Sequence, residues 1–269
     1  MSNKIQDLSG FVAAVERAYR DWDCSGRTTG LWFRGQSQAS WTLVPGLYRQ
    51  PSRVRPEYER ELARDFRLRS GAFLREAPSH GLEWLFIMQH YGMPTRLLDW
   101  TEGHLFALYF AVAKHNSSED AAVWVLDPWS LNYNVIGVHS VPLADHSKLR
   151  DHALGSEQDT FGRDIKATHP AAVRPPSATP RIIAQKGTFT IHGNLPAGLD
   201  RIANRTKRKT RGGKIRIRRI VIEGTQKTKL VKQLYWAGVT EAVLFPDLVG
   251  LCGEISYRYS DEHLRCKCP

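Results

Sequence analysis

The chain has 269 residues, of which 42% are hydrophobic and 24% charged, with a net charge of +11. These fractions are typical of a globular protein and exclude a disordered or fibrous chain. No apolar run approaches the roughly 20 residues that cross a bilayer, and the first residues lack a signal-peptide pattern, so we expect a cytoplasmic protein without a membrane partner.

Helices and short strands alternate in the first half of the chain. The sequence predicts helices over 8–22, 57–74, 81–89 and 102–114, and strands over 29–34, 94–99 and 121–126. Pro56 lies where a helix start favours proline. Thr101 can cap the helix that follows it, which is apolar on nearly all sides and should therefore lie in the core.

The second half of the chain is less regular. Residues 127–180 lack clear periodicity and are predicted to form a long loop with some local helix. After it come predicted strands over 181–184, 188–191, 215–222 and 242–245, and a helix over 225–236. Scattered strands with few β-α-β units predict an α+β fold.

The four cysteines give no sign of a metal site. Cys24 and Cys252 stand alone, and Cys266 and Cys268 form a Cys-x-Cys pair without further ligands at zinc spacing. We expect reduced thiols and no bound metal.

The positive charge is concentrated in one segment, residues 201–219, which holds ten Lys or Arg and no acidic residue. Removing these ten from the net charge of +11 leaves +1 for the rest of the chain. Such a segment attracts phosphate polymers, but it also fits a solvated hairpin tip or contact with an acidic partner protein. The residues predicted to touch DNA or RNA are Arg205, Lys207, Arg208, Lys209, Arg211, Lys214, Arg216 and Arg218.

A first polar run, Phe33-Arg34-Gly35-Gln36, ends the first predicted strand. A buried arginine is costly unless its guanidinium has a fixed anionic or planar partner. Arg34 could therefore bind a ligand, or it could pair with an internal carboxylate such as Asp99 for a structural purpose. Gly35 allows a close approach to the backbone.

A second polar run extends from Gln89 to Thr101, directly before the core helix. Polar groups at a strand-to-helix junction are typical of ligand sites. Each residue also has a structural interpretation: His90 as a core histidine, Thr101 as an N-cap, and Arg96 paired with Asp99. The candidate ligand-binding residues of this run are His90, Tyr91, Thr95, Arg96, Asp99, Trp100 and Thr101.

These two runs resemble the signature motifs of the FRG family, which is associated with bacterial and phage conflict systems. Further similar motifs are 107–111, 185–190 and 244–248, so the resemblance spans about 27–255. It implies an FRG domain over 27–259 with a basic insertion at about 201–219. Residues 1–26 would add a helix to the same unit, and 260–269 would form a C-terminal tail.

A more distant resemblance is to ADP-ribosyltransferases, which open on an aromatic-Arg-Gly strand, continue with a Ser/Thr-bearing strand before a helix, and end on a strand with a Glu. It implies a mostly antiparallel sheet of that type and NAD as substrate. Arg34 would bind phosphate or ribose, and Thr95 or Thr101 would hold the ribose or support the strand. Gly35, Gln36 and Arg96 are further candidates for binding NAD. Tyr91 or Trp100 would stack on nicotinamide.

The last of these three motifs differs from that of the transferases, because Gln185 occupies the position where they have a Glu. An amide can orient a hydroxyl but cannot act as a base. The catalytic candidates are therefore Arg34, Asp99, Gln185 and His90, with Glu102 as a second acid. The leading hypothesis is an NAD-consuming toxin or anti-phage effector, with a neutralising partner protein. The alternatives are a non-catalytic binding module and a nuclease-like enzyme that uses His90 and Asp99.

Overall fold

The computed structural model describes residues 4–24, 30–74, 76, 78, 81–113, 118–153, 165–175, 179–205 and 214–260. Within these ranges the helices are α1 (Leu8–Asp21), α2 (Pro56–Ser70), α3 (Gly81–His90), α4 (His104–Val112), α5 (Pro128–Ile136), α6 (Pro180–Ala184), α7 (Leu199–Arg205), α8 (Lys227–Trp236), α9 (Glu241–Leu244) and α10 (Leu248–Arg258). The strands are β1 (Trp32–Gln36), β2 (Leu97–Thr101), β3 (Ala121–Leu126), β4 (Ala171–Val173), β5 (Gly187–Ile191) and β6 (Ile217–Ile222). Short 3-10 helices cover Gly46–Arg49, Pro51–Arg53, Ser147–His152 and Gly224–Gln226.

The six strands form one sheet in the order β4-β5-β2-β1-β3-β6. Every neighbouring pair is antiparallel. The predicted α+β class with a mostly antiparallel sheet is confirmed. No helix in the described ranges is both long enough and apolar enough to span a membrane.

The sheet opens between its two central strands, β1 and β2. β1 pairs with β3 from Trp32 to Gln36, and β2 pairs with β5 along its whole length. β1 and β2, in contrast, share the single register pair Phe33 with Thr101. The two strands therefore diverge beyond this pair, and a cleft can enter the sheet there.

Helix α4 packs closely on β1 because Gly35 has no side chain. A Cβ at this position would overlap the Ala107 carbonyl and lie 2.6 Å from the Ala111 nitrogen. Phe33, two residues earlier on the same face, belongs to a core cluster with Ala107 and Ala111. The opposite face of the sheet carries a second cluster around Trp32, Leu98, Trp100 and Trp124.

Two segments predicted as strands are short helices instead. The predicted strand over 181–184 is α6, because the Thr179 hydroxyl accepts the Ile182 amide and Pro180 occupies the first helical position. The predicted strand over 242–245 is α9, whose N-cap is Thr240. In both places the β-branched residues favoured a strand, and the capping threonine decided otherwise.

Helices α7 and α10 lie outside the predicted elements, whereas some local helix was predicted in the region of α5. α5 occupies part of the predicted loop over 127–180, and Asp127 caps it by accepting the Trp129 and Ser130 amides. α10 begins at Asp247, whose carboxylate accepts the Gly250 amide at 2.9 Å. Both starts carry an aspartate directly before the helix, which is a usable sequence signal.

A candidate ligand-binding cleft

A cleft of about 450 Å³ lies where β1 and β2 diverge. Its walls come from β1, β2, β5, the end of α3, α4 and α6. The apolar wall is aromatic, with Phe33, Phe86, Trp100, Phe110 and Phe189. The polar wall includes Arg34, Gln89, His90, Asp99, Thr101, Arg181 and Gln185. Seven of the residues predicted for the site therefore line one cavity, with Gly35 among them; the other six are Arg34, His90, Asp99, Trp100, Thr101 and Gln185.

Arg34 crosses the opening between the two strands. Its Nη1 donates to the main-chain carbonyl of Asp99 at 2.6 Å and lies 3.6 Å from the Asp99 carboxylate. Its Nε is buried and has no partner within the described residues. Burial lowers the pKa of Arg34, and the negative charge of Asp99 opposes that shift. The cleft thus holds a guanidinium whose side chain is 16% exposed and whose Nη1 is bonded to Asp99.

Asp99 supplies the negative charge that faces Arg34. Its side chain is 55% exposed, so the carboxylate reaches the open part of the cleft. The Gln89 amide nitrogen donates to its Oδ2 at 3.0 Å, and Gln89 in turn is held by Thr95. The structural interpretation of Arg34 as a partner of Asp99 and the ligand interpretation are thus compatible, because the pair itself lines the cleft.

Thr101 and Gln185 close one end of the cleft. The Thr101 hydroxyl donates to the Gln185 carbonyl at 2.6 Å and accepts the Gly103 amide at 2.9 Å. The helix begins later than predicted, at His104, and Gly103 is its N-cap, so the prediction that Thr101 caps it is wrong. The Gln185 side chain donates to the Leu244 carbonyl at 3.0 Å, which fixes its amide against α9.

Four residues predicted to bind the cofactor do not line the cleft. Gln36 is 6% exposed, and its amide bonds with the Trp124 indole and the Thr42 carbonyl. Thr95 is fully buried beneath Gln89. Tyr91 is 72% exposed and lies outside the cavity. Its ring packs edge-on against the His90 ring, with the two ring centres 5.0 Å apart.

Arg96 is the fourth, and it is a structural residue. It is fully buried, and its Nε pairs with Glu59 of α2 at 2.5 Å. Its two terminal nitrogens donate to the carbonyls of His152 and His192. The predicted pair between Arg96 and Asp99 is wrong, and a guanidinium without exposed surface cannot reach a ligand.

The basic segment is only partly within the described residues, since Lys207, Arg208, Lys209 and Arg211 lie outside them. Arg205 and Lys214 are exposed. Arg216 instead donates to the Trp22 carbonyl at 2.5 Å, and Arg218 pairs with Asp21 at 2.6 Å. Arg216 and Arg218 therefore help to hold the end of α1 against β6.

Two polar residues of the cleft, Gln89 and Arg181, were not among the predicted site residues. Gln89 directly precedes His90 in the second polar run, so its position in that run was an available signal. Arg181 reaches the cleft from α6, where its guanidinium lies 4.7 Å from the centre of the Phe245 ring. The incorrect strand prediction for 181–184 concealed it. Among the described residues no cluster of His, Cys, Asp and Glu is suited to a metal.

Residues 29–120 match the family model of the FRG domain. No curated protein and no solved structure matches the chain. The matched region contains β1 with Arg34, the run from Gln89 to Thr101, and α4, which together form much of the cleft. Residues 29–120, about a third of the chain, are therefore similar to the FRG domain.

Proposed function

We propose that the cleft binds NAD and that the protein is an ADP-ribosyltransferase-like enzyme that cleaves the bond between nicotinamide and ribose. The observation that carries this proposal is the Arg34–Asp99 pair in an aromatic cleft of about 450 Å³ at the gap between β1 and β2. Clefts of this size, largely apolar with a few convergent polar groups, suit nucleotide-sized ligands. The ADP-ribosyltransferase-like type of the sheet is part of the same proposal.

Two cations would hold the pyrophosphate. Arg34 lines the cleft with a side chain that is 16% exposed, and a planar guanidinium binds phosphate oxygens through two parallel hydrogen bonds. Arg181 lines the same cleft from α6 and adds a second positive charge. The aromatic wall, Trp100 and Phe189 included, offers faces on which nicotinamide or adenine can stack.

Asp99 would stabilise the reacting sugar. When the bond breaks, its electron pair leaves with nicotinamide and the ribose carbon becomes cationic, so a nearby carboxylate lowers the barrier. Gln185 cannot serve in this way, because it is neutral and its amide is bonded to Leu244. Glu102 is paired with Arg174 at 2.9 Å, which leaves Asp99 as the better acid. His90, exposed where it lines the cleft, would take the proton that the attacking acceptor loses.

In the cell, such an enzyme would act as a toxin or anti-phage effector, in line with the similarity of residues 29–120 to the FRG domain. The exposed cations of the basic segment would bring it to DNA or RNA, and a partner protein would neutralise it. The modified target would then be nucleic acid or a molecule bound to it.

The test is incubation of the purified protein with NAD, alone and with DNA, RNA or cell lysate. Nicotinamide release and transfer of labelled ADP-ribose are measured together. Arg34→Ala and Asp99→Ala should each strongly reduce both signals to a low, still measurable rate, whereas Arg69→Ala, which breaks an exposed pair on α2, should leave them unchanged. Wild-type activity retained in Arg34→Ala would remove that residue from the mechanism.

A second candidate is a non-catalytic module that binds a nucleotide. The engaged amide of Gln185, where transferases carry a glutamate, favours it. This candidate predicts that NAD or ADP-ribose binds to the wild-type protein without nicotinamide release under any of the conditions above. Absence of both binding and release would eliminate both candidates.

A further inference from the structure

Three consecutive hydrogen bonds connect the backbone of β2 to the Asp99 carboxylate. The Leu97 amide donates to the Thr95 hydroxyl oxygen at 3.1 Å. The Thr95 hydroxyl donates to Gln89 Oε1 at 2.7 Å, and Gln89 Nε2 donates to Asp99 Oδ2 at 3.0 Å. Thr95 is fully buried, so water cannot replace its bonds.

The donor and the acceptor of each of these three hydrogen bonds follow from the chemistry of the groups involved. A backbone N–H can only donate, so the Thr95 oxygen accepts from Leu97 and its single hydrogen is free to go to Gln89. The Asp99 carboxylate oxygen accepts, so the Gln89 NH₂ group faces it and the carbonyl oxygen of the same amide faces the Thr95 hydroxyl. The amide therefore has one orientation, and it presents a donor to the carboxylate.

The Asp99 carboxylate depends on this donor. The short bond of Arg34 goes to the Asp99 main chain, and its guanidinium lies 3.6 Å from the carboxylate. Gln89 approaches it more closely, at 3.0 Å, and both groups contact the same oxygen, Oδ2. Within the described part of the chain, neither contact uses Oδ1, which belongs to a side chain that is 55% exposed.

We propose that Gln89 is the positioning residue of the cleft: it fixes the Asp99 carboxylate opposite Arg34 so that Oδ1 faces the ligand, and Thr95 fixes Gln89. This inference rests on the proposed function, since it names the residue that orients the proposed charge-stabilising group. Gln89 acts through Asp99 and supplies no chemistry of its own.

Gln89→Glu separates positioning from shape. The substituted carboxylate keeps the length of the side chain and still accepts from Thr95, but it replaces the donated hydrogen with a second negative charge 3.0 Å from Asp99. Two carboxylates that close cannot both ionise easily, so they would share a proton. We expect the Gln89→Glu enzyme to be active only at a lower pH than wild type, a change that a purely structural role would not produce.

The kinetic test compares Gln89→Ala, Asp99→Ala and the double variant. Gln89→Ala should lower kcat for nicotinamide release at least tenfold, with KM changed less than threefold. The double variant should be no slower than Asp99→Ala alone, because the two residues act as one unit. Gln50→Ala, an exposed glutamine outside the cleft, is the control with unchanged kinetics. Multiplicative losses in the double variant, or wild-type kinetics in Gln89→Ala, would overturn the proposal.

A ligand-free measurement separates this inference from the proposed function. The NMR signals of the Gln89 side-chain amide, identified by their loss in Gln89→Ala, should move in Asp99→Ala and in Thr95→Val but hold their place in Thr95→Ser. If wild type releases no nicotinamide yet these shifts occur, the enzyme proposal fails and the positioning of Asp99 stands. If the Gln89 amide signals do not move in Asp99→Ala, the proposal that Gln89 positions Asp99 is refuted, whatever the enzymatic activity.

Discussion

Arg96 and Glu59 form an ion pair inside the protein, with side chains 0% and 3% exposed and Nε 2.5 Å from Oε2. The pair joins α2 to the start of β2, and the carbonyls of His152 and His192 complete the guanidinium's bonds. Arg34, on the neighbouring strand, meets its acid in an open cleft. Arg34 and Arg96, one from each polar run of the sequence, thus differ in role because Asp99 is exposed whereas Glu59 is buried.

Removing Arg96 should therefore unfold the protein more easily. Arg96→Ala leaves the Glu59 charge buried without compensation, which costs about 3–5 kcal/mol. Urea unfolding measures the loss, and Arg69→Ala, from a pair that is 79% and 60% exposed, should change stability by less than about 0.5 kcal/mol. Equal effects from the two variants would contradict the structural role of Arg96.

Gly35 should tolerate no side chain. In Gly35→Ala the new methyl overlaps the Ala107 carbonyl, and only a shift of α4 away from β1 can relieve it. Overpacking of this kind costs about 1–3 kcal/mol, and it would also disturb the wall of the cleft. Thermal unfolding checks it against Gly71→Ala, where nothing lies within 4 Å of the added Cβ. The control should be neutral or stabilising by up to about 1 kcal/mol, and an equally stable Gly35→Ala would refute the close packing.

Local patterns predicted the elements whose own residues decide them. The apolar spacing of 8–22 and the continuous run of 121–126 correspond closely to α1 and β3, because amphipathic and fully buried segments carry their signal internally. The α6 and α9 helices were missed since two or three β-branched or apolar residues outweighed a capping threonine. A short helix has too few turns to show a period.

The site was predicted as two polar runs, and the structure brings most of their residues into one cleft. The sequence could not distinguish Arg34 from Arg96, because the difference lies in Glu59, 37 residues before Arg96 in the chain. Gln89 lies in the second polar run, but its partners Thr95 and Asp99 are identified only by the structure. Pairings across the chain are set by tertiary packing, which no local pattern records.

Acid should destabilise the fold through two buried histidines. Burial is the main reason that the pKa of His192 falls from 6.5 to about 3 and that of His152 to about 4. Both are therefore neutral in the folded protein at pH values where the unfolded chain binds protons. Their contribution to stability is complete above about pH 6.5 and is lost as pH falls toward 4 and 3, by at most ~1.4 kcal/mol per pH unit for each histidine.

Unfolding in urea between pH 5 and 8 tests this dependence. His192→Leu removes one of the two depressed groups and should reduce the slope of stability against pH below 6.5 by up to about 1.4 kcal/mol per unit. Gln50→Ala, an exposed residue without a titrating group, is the control and should leave that slope unchanged. A His192→Leu protein with the wild-type slope would show that this imidazole is protonated equally in both states.

Nucleic-acid binding, if the basic segment provides it, should depend on its exposed cations and not on the paired ones. Arg205 and Lys214 are exposed, whereas Arg218 is bonded to Asp21 at 2.6 Å and lies 5.3 Å from the centre of the Trp22 ring. Each phosphate contact adds about 0.9 to the slope of log K against log salt for duplex DNA. Arg205→Ala and Lys214→Ala should each weaken binding across sequences and reduce the slope by about that amount.

Arg218→Ala is the control and should leave the slope unchanged, because its charge already has a partner. Fluorescence anisotropy of labelled DNA and RNA at several salt concentrations gives the slope for all three variants. Equal slopes for wild type and for Arg205→Ala and Lys214→Ala would show that these two residues do not contact nucleic acid. That outcome would favour an acidic protein as the partner of the basic segment.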